Sequence, residues 1–241
     1  MGIIVFNGRS SKDIGLEVET FPQYEAAQKV LDVISVPGRN GDLIVDTGKY
    51  RNVPRSYKVS IATFDKVSYS QKMSQVAEWL YLASGYARLE DSYDEDFYRM
   101  AYYGDQTSFE NVFDEGGRAT LTFVCKPQRY FKSGEFPILF TETGKIQNRT
   151  THEAYPLLKV VTDDTEGTIS IGEYHFEIKA GSGTHVNIDC ELQDAYYNGE
   201  SKNNFINLNG GDFPRIDPGT QVISFTGGVQ SVEVIPRWWT V

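Results

Sequence analysis

The sequence predicts a mainly-β chain of two domains, with one α-helix confined to the first. Three observations carry this. Aromatic residues are abundant, with 15 Tyr, 14 Phe and 3 Trp in 241 residues, and 22 Gly accompany them. Aromatic and β-branched side chains suit pleated sheets, and glycine suits the turns between strands. Apolar and polar residues alternate with period two in many short segments bounded by Gly, Pro, Asn and Asp, and only residues 68–85 switch to the helical period.

The first strand signals are "IIVF" and "IGLEVE". "VLDVISV" and "LIVDTG" then flank "PGRNGDL", residues 37–43. Asn40-Gly41 is the signal of a two-residue type I′ turn and Pro37-Gly38 breaks the incoming strand, so a β-hairpin is expected. A turn of that type needs only Asn-Gly. Arg39 and Asp42 exceed the geometric requirement, and a rigid tip offering one guanidinium and one carboxylate suits docking on a neighbouring subunit. Pro37, Gly38, Arg39, Asn40, Gly41 and Asp42 are therefore the candidate site, read as an assembly hairpin.

In "SYKVSIATF", Tyr57, Val59 and Ile61 alternate with Lys58, Ser60 and Ala62, the pattern of a half-buried strand. "SYSQKMSQVAEWLYLASG" places Met73, Val76, Ala77, Leu80 and Ala83 on one helical stripe that covers a sheet face. Ser68 with Gln71 reads as its capping box and Gly85 as its C′ glycine. Strands resume with "YARLE", "FYRMAYY" and "GRATLTFVCKP". In the last of these Ala119, Leu121, Phe123 and Cys125 share a face, and Pro127 stops the run. "QRYFKSGEFP" mixes Gly, Pro and charge as domain boundaries do, giving domains at 1–130 and 138–241. The second half alternates short strands ("PLLKVV", "TISIG", "YHFEIK", "HVNID", "VISF", "VEVIP") with turns such as "DDTEG", the spacing of a β-sandwich.

Chemistry is harder to place. The net charge is −10 with no dense Lys/Arg run, which sets nucleic-acid recognition aside. Cys125 and Cys190 stand far apart, outside any zinc pattern, and read as reduced buried thiols. The N-terminal residues carry neither a signal-peptide pattern nor a membrane span, so synthesis and assembly in a cytoplasm are expected. His152, His175 and His185 form no HExxH, and Gly181-Ser182-Gly183 lacks the nucleophile-elbow spacing. The acidic residues Glu90, Asp91, Asp94, Glu95 and Asp96 suit a calcium ion by residue type but lack EF-hand spacing, and those at 163–167 read as a turn joining two strands. Asn148-Arg149-Thr150 matches a glycosylation sequon that means little without a secretory signal. Of the neighbours Trp238 and Trp239, strand alternation puts one in a core and the other at an edge or interface; stacking on a sugar is the sharper alternative. No catalytic, cofactor-binding or metal-binding set emerges, and the expectation is a protein that binds or builds and is not an enzyme.

Four segments in order, "VPGRNGDL", "FVCKPQRY", "NRTTHEAYPLLKV" and "NGGDFPRIDPGTQVISFTGGVQSVEVIPRWW", resemble the siphophage distal tail protein (Dit) family in its short form, without an inserted carbohydrate-binding module. The resemblance implies an N-terminal belt domain, a β-sandwich with one helix that makes a ring, followed by a peripheral galectin-like β-sandwich. It implies a homo-hexameric hub at the virion tail tip, joining the tail tube protein to a tail-associated fibre or lysin and to receptor-binding or baseplate proteins. DNA passes through such a ring without specific binding, and an acidic chain repels phosphate weakly, which favours sliding. No membrane, cofactor or catalytic residue is implied. The competing expectation is a host cell-wall carbohydrate-binding module built on the second domain and Trp238 or Trp239.

Overall fold

The computed structural model describes residues 2–62, 66–112 and 116–241. The fold is mainly β with one α-helix, and the chain divides into two compact units, residues 1–129 with Val241, and residues 130–240.

The first unit contains β1 (Ile4–Phe6), β2 (Arg9–Ser10), β3 (Leu16–Val18), β4 (Lys29–Ile34), β5 (Leu43–Tyr50), β6 (Val53–Ala62), α1 (Lys66–Tyr81), β7 (Ala87–Asp91), β8 (Phe97–Tyr102), β9 (Glu110–Val112) and β10 (Gly116–Phe131), whose last two residues belong to the second unit. Its main sheet runs β2-β1-β7-β8-β10-β6-β3, with β9 also on β10, and β4 and β5 form a separate two-stranded sheet. The spine is the antiparallel pair β6–β10, in register from Gly116↔Ala62 to Cys125↔Val53. Strand alternation sends Tyr57, Val59, Ile61, Leu121 and Phe123 inward, where all are almost fully buried. Phe123 is the hub of an aromatic cluster, with ring centroids 5.0 Å from Phe6, 5.4 Å from Tyr103, 6.0 Å from Tyr57 and 6.4 Å from Trp79. Such tilted and edge-on pairs add to the burial of apolar area.

α1 covers this core, and its anchor is a residue the stripe left out. Trp79 is 2% exposed and its Nε1 donates to the Arg9 carbonyl at 3.1 Å, while Met73 packs only partly buried. The capping expectations are corrected. The helix already includes Lys66, so Ser68 lies inside it and not at its N-cap. It ends at Tyr81, and Gly85 lies four residues on without a positive φ, so it is no C′ glycine. Nor does Pro127 stop β10. Pairing with β6 ends at Cys125↔Val53, so the missing N–H of Pro127 costs no β6 hydrogen bond and the strand continues to Phe131.

The second unit contains β11 (Ile138–Phe140), β12 (Gly144–Asn148), β13 (Leu157–Ile171), β14 (Tyr174–Ile178), β15 (His185–Asp189), β16 (Asp194–Tyr197), β17 (Glu200–Ser201), β18 (Ile206–Asn207), β19 (Gly219–Ile235) and β20 (Trp239–Thr240). Its sheet runs β11-β19-β13-β15-β16-β17, with β12 on β19, β14 on β13 and β18 on β14. Here the sequence overcounts. "PLLKVV" and "TISIG" are two halves of β13, and "VISF" and "VEVIP" two halves of β19. "DDTEG" is not a turn between strands but a bulge, where the β13–β19 register slips between Thr162↔Val229 and Gly167↔Gly227. Each long strand changes neighbours across it: β13 pairs with β15 before and β14 after, and β19 with β12 before and β11 after. One strand thus serves both layers of a sandwich. Leu158, Val160, Ile169, Ile171, Phe176, Ile188, Val232 and Val234 fill the core between them.

Candidate assembly interface

Most of the motifs singled out in the second half have structural partners. Asn148 of the sequon is 2% exposed, and its Nδ2 donates to the carbonyls of His152 and Ile216, both at 2.8 Å, so it locks two loops and offers no accessible acceptor. Arg237 forks onto Asp189 at 2.7 and 2.8 Å. Burial pushes the Asp189 carboxyl up, but the Arg237 guanidinium and the backbone N–H groups of Leu192 and Glu191 outweigh it and hold the group below the usual range. Trp239 stacks on His152 at 4.3 Å and donates Nε1 to the Glu153 carbonyl at 2.7 Å. Both Trp238 and Trp239 are half-buried, and Trp238 packs against the core of the second unit while Trp239 does not, in line with the expected division.

The candidate chemical groups disperse in the same way. His175 bonds Ser170, and His185 stacks on Tyr197. Asp91 accepts from Arg55 and Tyr57, and Asp94 faces Arg129 at 3.3 Å. Among the described residues no three His, Cys, Asp or Glu side chains converge as metal ligands. Cys125 and Cys190 are buried free thiols, and burial pushes Cys125 up to about 11, away from thiolate reactivity.

The hairpin differs from every other element. β4 and β5 pair from Ile34↔Leu43 down to Lys29↔Tyr50 and belong to no larger sheet among the described residues. Cross-strand partners share a face, so Leu31, Val33 and Ile44 project on one side, and Ile34, Leu43 and Val45 on the other. All six are exposed, Val33 and Ile44 by 60% and 62%. A ribbon that is apolar on both faces and solvated on both lacks the covering layer that a two-stranded sheet needs for stability. Lys29 bridges Asp46 at 2.6 Å at its base, an exposed contact that contributes little.

The tip is wider than a type I′ turn. Residues 35–42 connect the strands. The Arg39 N–H donates to the Val36 carbonyl at 3.2 Å, with Gly38 at φ 78°, which makes Val36-Pro37-Gly38-Arg39 a type II turn. Pro37 fixes the i+1 position of that turn, Gly41 takes φ 81°, and Asn40 stays out of the left-handed region. Arg39, Asn40 and Asp42 are exposed. A Cβ at Gly41 meets nothing within 4 Å, so its requirement is purely conformational. Gly41→Val is expected to cost about 1–2 kcal/mol of hairpin stability, because a β-branched residue resists positive φ. Faster hydrogen exchange in β4 and β5, with β6 and β10 unchanged, checks this.

No family model and no curated protein matches this chain. Solved structures do. The architecture, a helix-bearing β unit followed by a β-sandwich, is similar to that of phage tail and baseplate proteins. The Dit protein of phage SPP1, described as a paradigm of hub adsorption apparatus in Gram-positive-infecting phages, shares the fold over 100% of both chains, with a TM-score of 0.78 at 11% identity. Chains of the phage P2 baseplate in its activated conformation with Ca and with Sr align over 97% of this chain, with TM-scores of 0.56 and 0.55 at 10% identity. Those chains are covered over 97% and 96% of their lengths. No described helix is long and apolar enough to cross a membrane.

Proposed function

We propose that the chain is a structural hub protein at the distal tip of a long non-contractile phage or prophage tail. On this reading it forms a hexameric ring joining the tail tube to a tail-associated fibre or lysin and to the receptor-binding baseplate. The observation that carries the reading is the similarity in fold to SPP1 Dit along the whole of both chains. Residues 1–130 form the ring as a belt and residues 138–241 lie at its periphery. The hairpin supplies the assembly contact: its two apolar faces are the surface that a neighbouring copy covers, and Arg39 and Asp42 at its tip add charged contacts. With a net charge of −10, the ring passes DNA without holding it. The protein resides in the virion tail tip after assembly in the host cytoplasm.

Mass photometry and negative-stain microscopy of the purified chain, alone at high concentration and with its tail-tube and fibre partners, test this. Six-fold rings are expected. A chain that stays monomeric in every mixture, or saturable saccharide binding by a monomer, overturns the reading, and the second outcome favours the carbohydrate-binding alternative. Arg39→Ala is expected to leave the monomer's melting temperature unchanged and to raise the concentration needed for rings several-fold, since an exposed pair contributes about 0–1 kcal/mol and ring closure repeats the loss at each interface. Rings of Arg39→Ala that survive dilution as well as wild type would reduce the tip to a turn.

A further inference from the structure

The inward face of the first unit's sheet should be apolar, yet at one end it carries arginines. Arg55 on β6 is 6% exposed and Arg99 on β8 is 7% exposed. Arg129, four residues beyond Cys125 on β10, shares the core-facing parity and stacks its guanidinium on Phe97 at 4.0 Å; Phe97 lies two residues before Arg99 on the same side of β8. Two of the three have anionic partners. Arg55 donates to Asp91 at 2.9 Å and to the Gln23 carbonyl at 3.3 Å. Arg129 Nε faces Asp94 Oδ2 at 3.3 Å, an ion pair without hydrogen-bond alignment, and its Nη1 donates to Tyr24 Oη at 3.1 Å.

Arg99 stands apart. It is 7% exposed, and among the described residues its side chain has no carboxylate partner, although none of its nitrogens is sealed from solvent without a hydrogen bond. Burial pulls it below the usual guanidinium range; Cys125 opposes this most, the nearby Arg55 and Arg129 add to it, and Asp94 opposes it least. Three guanidinium groups therefore face two carboxylates, and the surplus charge falls on Arg99, the one without a carboxylate partner. A buried cation without a partner is a costly feature that an anion repairs.

We propose that Arg99 and Arg129 form an oxyanion site that takes one carboxylate or phosphate group. A guanidinium presents its donors as a planar fork that matches either group. The anion comes from solution as a free ion, or from an acidic side chain of a second copy. The site itself stands independently of the ring, and only the second source rests on the ring reading.

Thermal unfolding of the full chain in inorganic phosphate against chloride, at matched ionic strength, tests the proposal. The wild-type midpoint is expected to rise with phosphate and saturate, as binding to the native state requires. Arg99→Met is expected to abolish the rise, and Arg99→Lys, which keeps the charge but loses the fork, to retain part of it. If Arg99→Met does not fold, the Lys variant carries the comparison. A wild-type midpoint indifferent to phosphate, or a rise of the same size in the Arg99 variants, overturns the site. For a free ion, the rise is the same at every protein concentration. For a second copy's carboxylate, phosphate shifts mass-photometry populations toward monomers, and the thermal response fades where copies associate.

Discussion

Replacing Arg237 with Met is expected to lower the stability of the second unit by about 3 kcal/mol, a large share of a domain's total. The pair it breaks is bidentate at 2.7 and 2.8 Å, with the side chains 21% and 5% exposed. Removing the guanidinium strands a buried carboxylate, and the cost stays near the low end of the range because Asp189 keeps the backbone N–H groups of Glu191 and Leu192 at 3.1 Å. Asp189→Asn is expected to cost less, since the amide oxygen still accepts those donors and Arg237 reaches solvent and Glu191. The pH dependence fixes the sign. Asp189 is held below its ordinary value, so its contribution is present above the unfolded pKa, about 3.9, and is lost as pH falls through the lower folded value. The gap between wild type and Arg237→Met should therefore narrow below about pH 4. Urea denaturation followed by hydrogen exchange in β15 and β19 reads this unit separately from β6 and β10, and equal protection in wild type and variant would contradict the assignment.

Sequence reasoning reached the β elements through alternation, which is a local property. Tyr57, Val59 and Ile61, and Leu121 and Phe123, face inward as their parity requires. It failed where local chemistry and long-range pairing disagree. Asp163 to Glu166 are good turn residues, but the strands on either side both pair with β19, so the chain absorbs them as a bulge. The Asn40-Gly41 signal lost to Pro37-Gly38, because a wider loop leaves room for the type II turn that Pro-Gly prefers.

The site was partly legible. "KVLDVI" and "LIVDTG" are apolar at both parities, the mark of a ribbon covered on both faces, but nothing in a single chain says what covers it. Arg99 also left a trace, as a charged residue at an inward parity of "FYRMAYY". Its missing partner shows only once Asp91 and Asp94 are seen to be engaged by Arg55 and Arg129.

Substituting Thr for both Val33 and Ile44 is expected to abolish ring formation at concentrations where wild type assembles, with little change in the monomer's unfolding. The two residues are cross-strand partners on one face and the most exposed apolar side chains of the hairpin. Threonine keeps the β-branched shape that suits a strand, so the ribbon itself should persist. Because both side chains already face water over most of their surface in the monomer, replacing them removes little burial there. In the ring the same change forfeits apolar area. Full burial of Val or Ile is worth about 1.5–3 kcal/mol each, and partial covering of both is worth about 3 kcal/mol per interface. That is roughly 100-fold in affinity at each contact, and a closed ring loses it at every interface. Ile34→Thr with Leu43→Thr examines the opposite face. An equal loss means that copies cover both faces, and a loss confined to one pair identifies the covered side. Mass photometry across a dilution series gives the answer. If both double variants assemble at the wild-type concentration, the hairpin is not the ring contact; if either melts well below wild type as a monomer, its apolar faces serve folding before assembly.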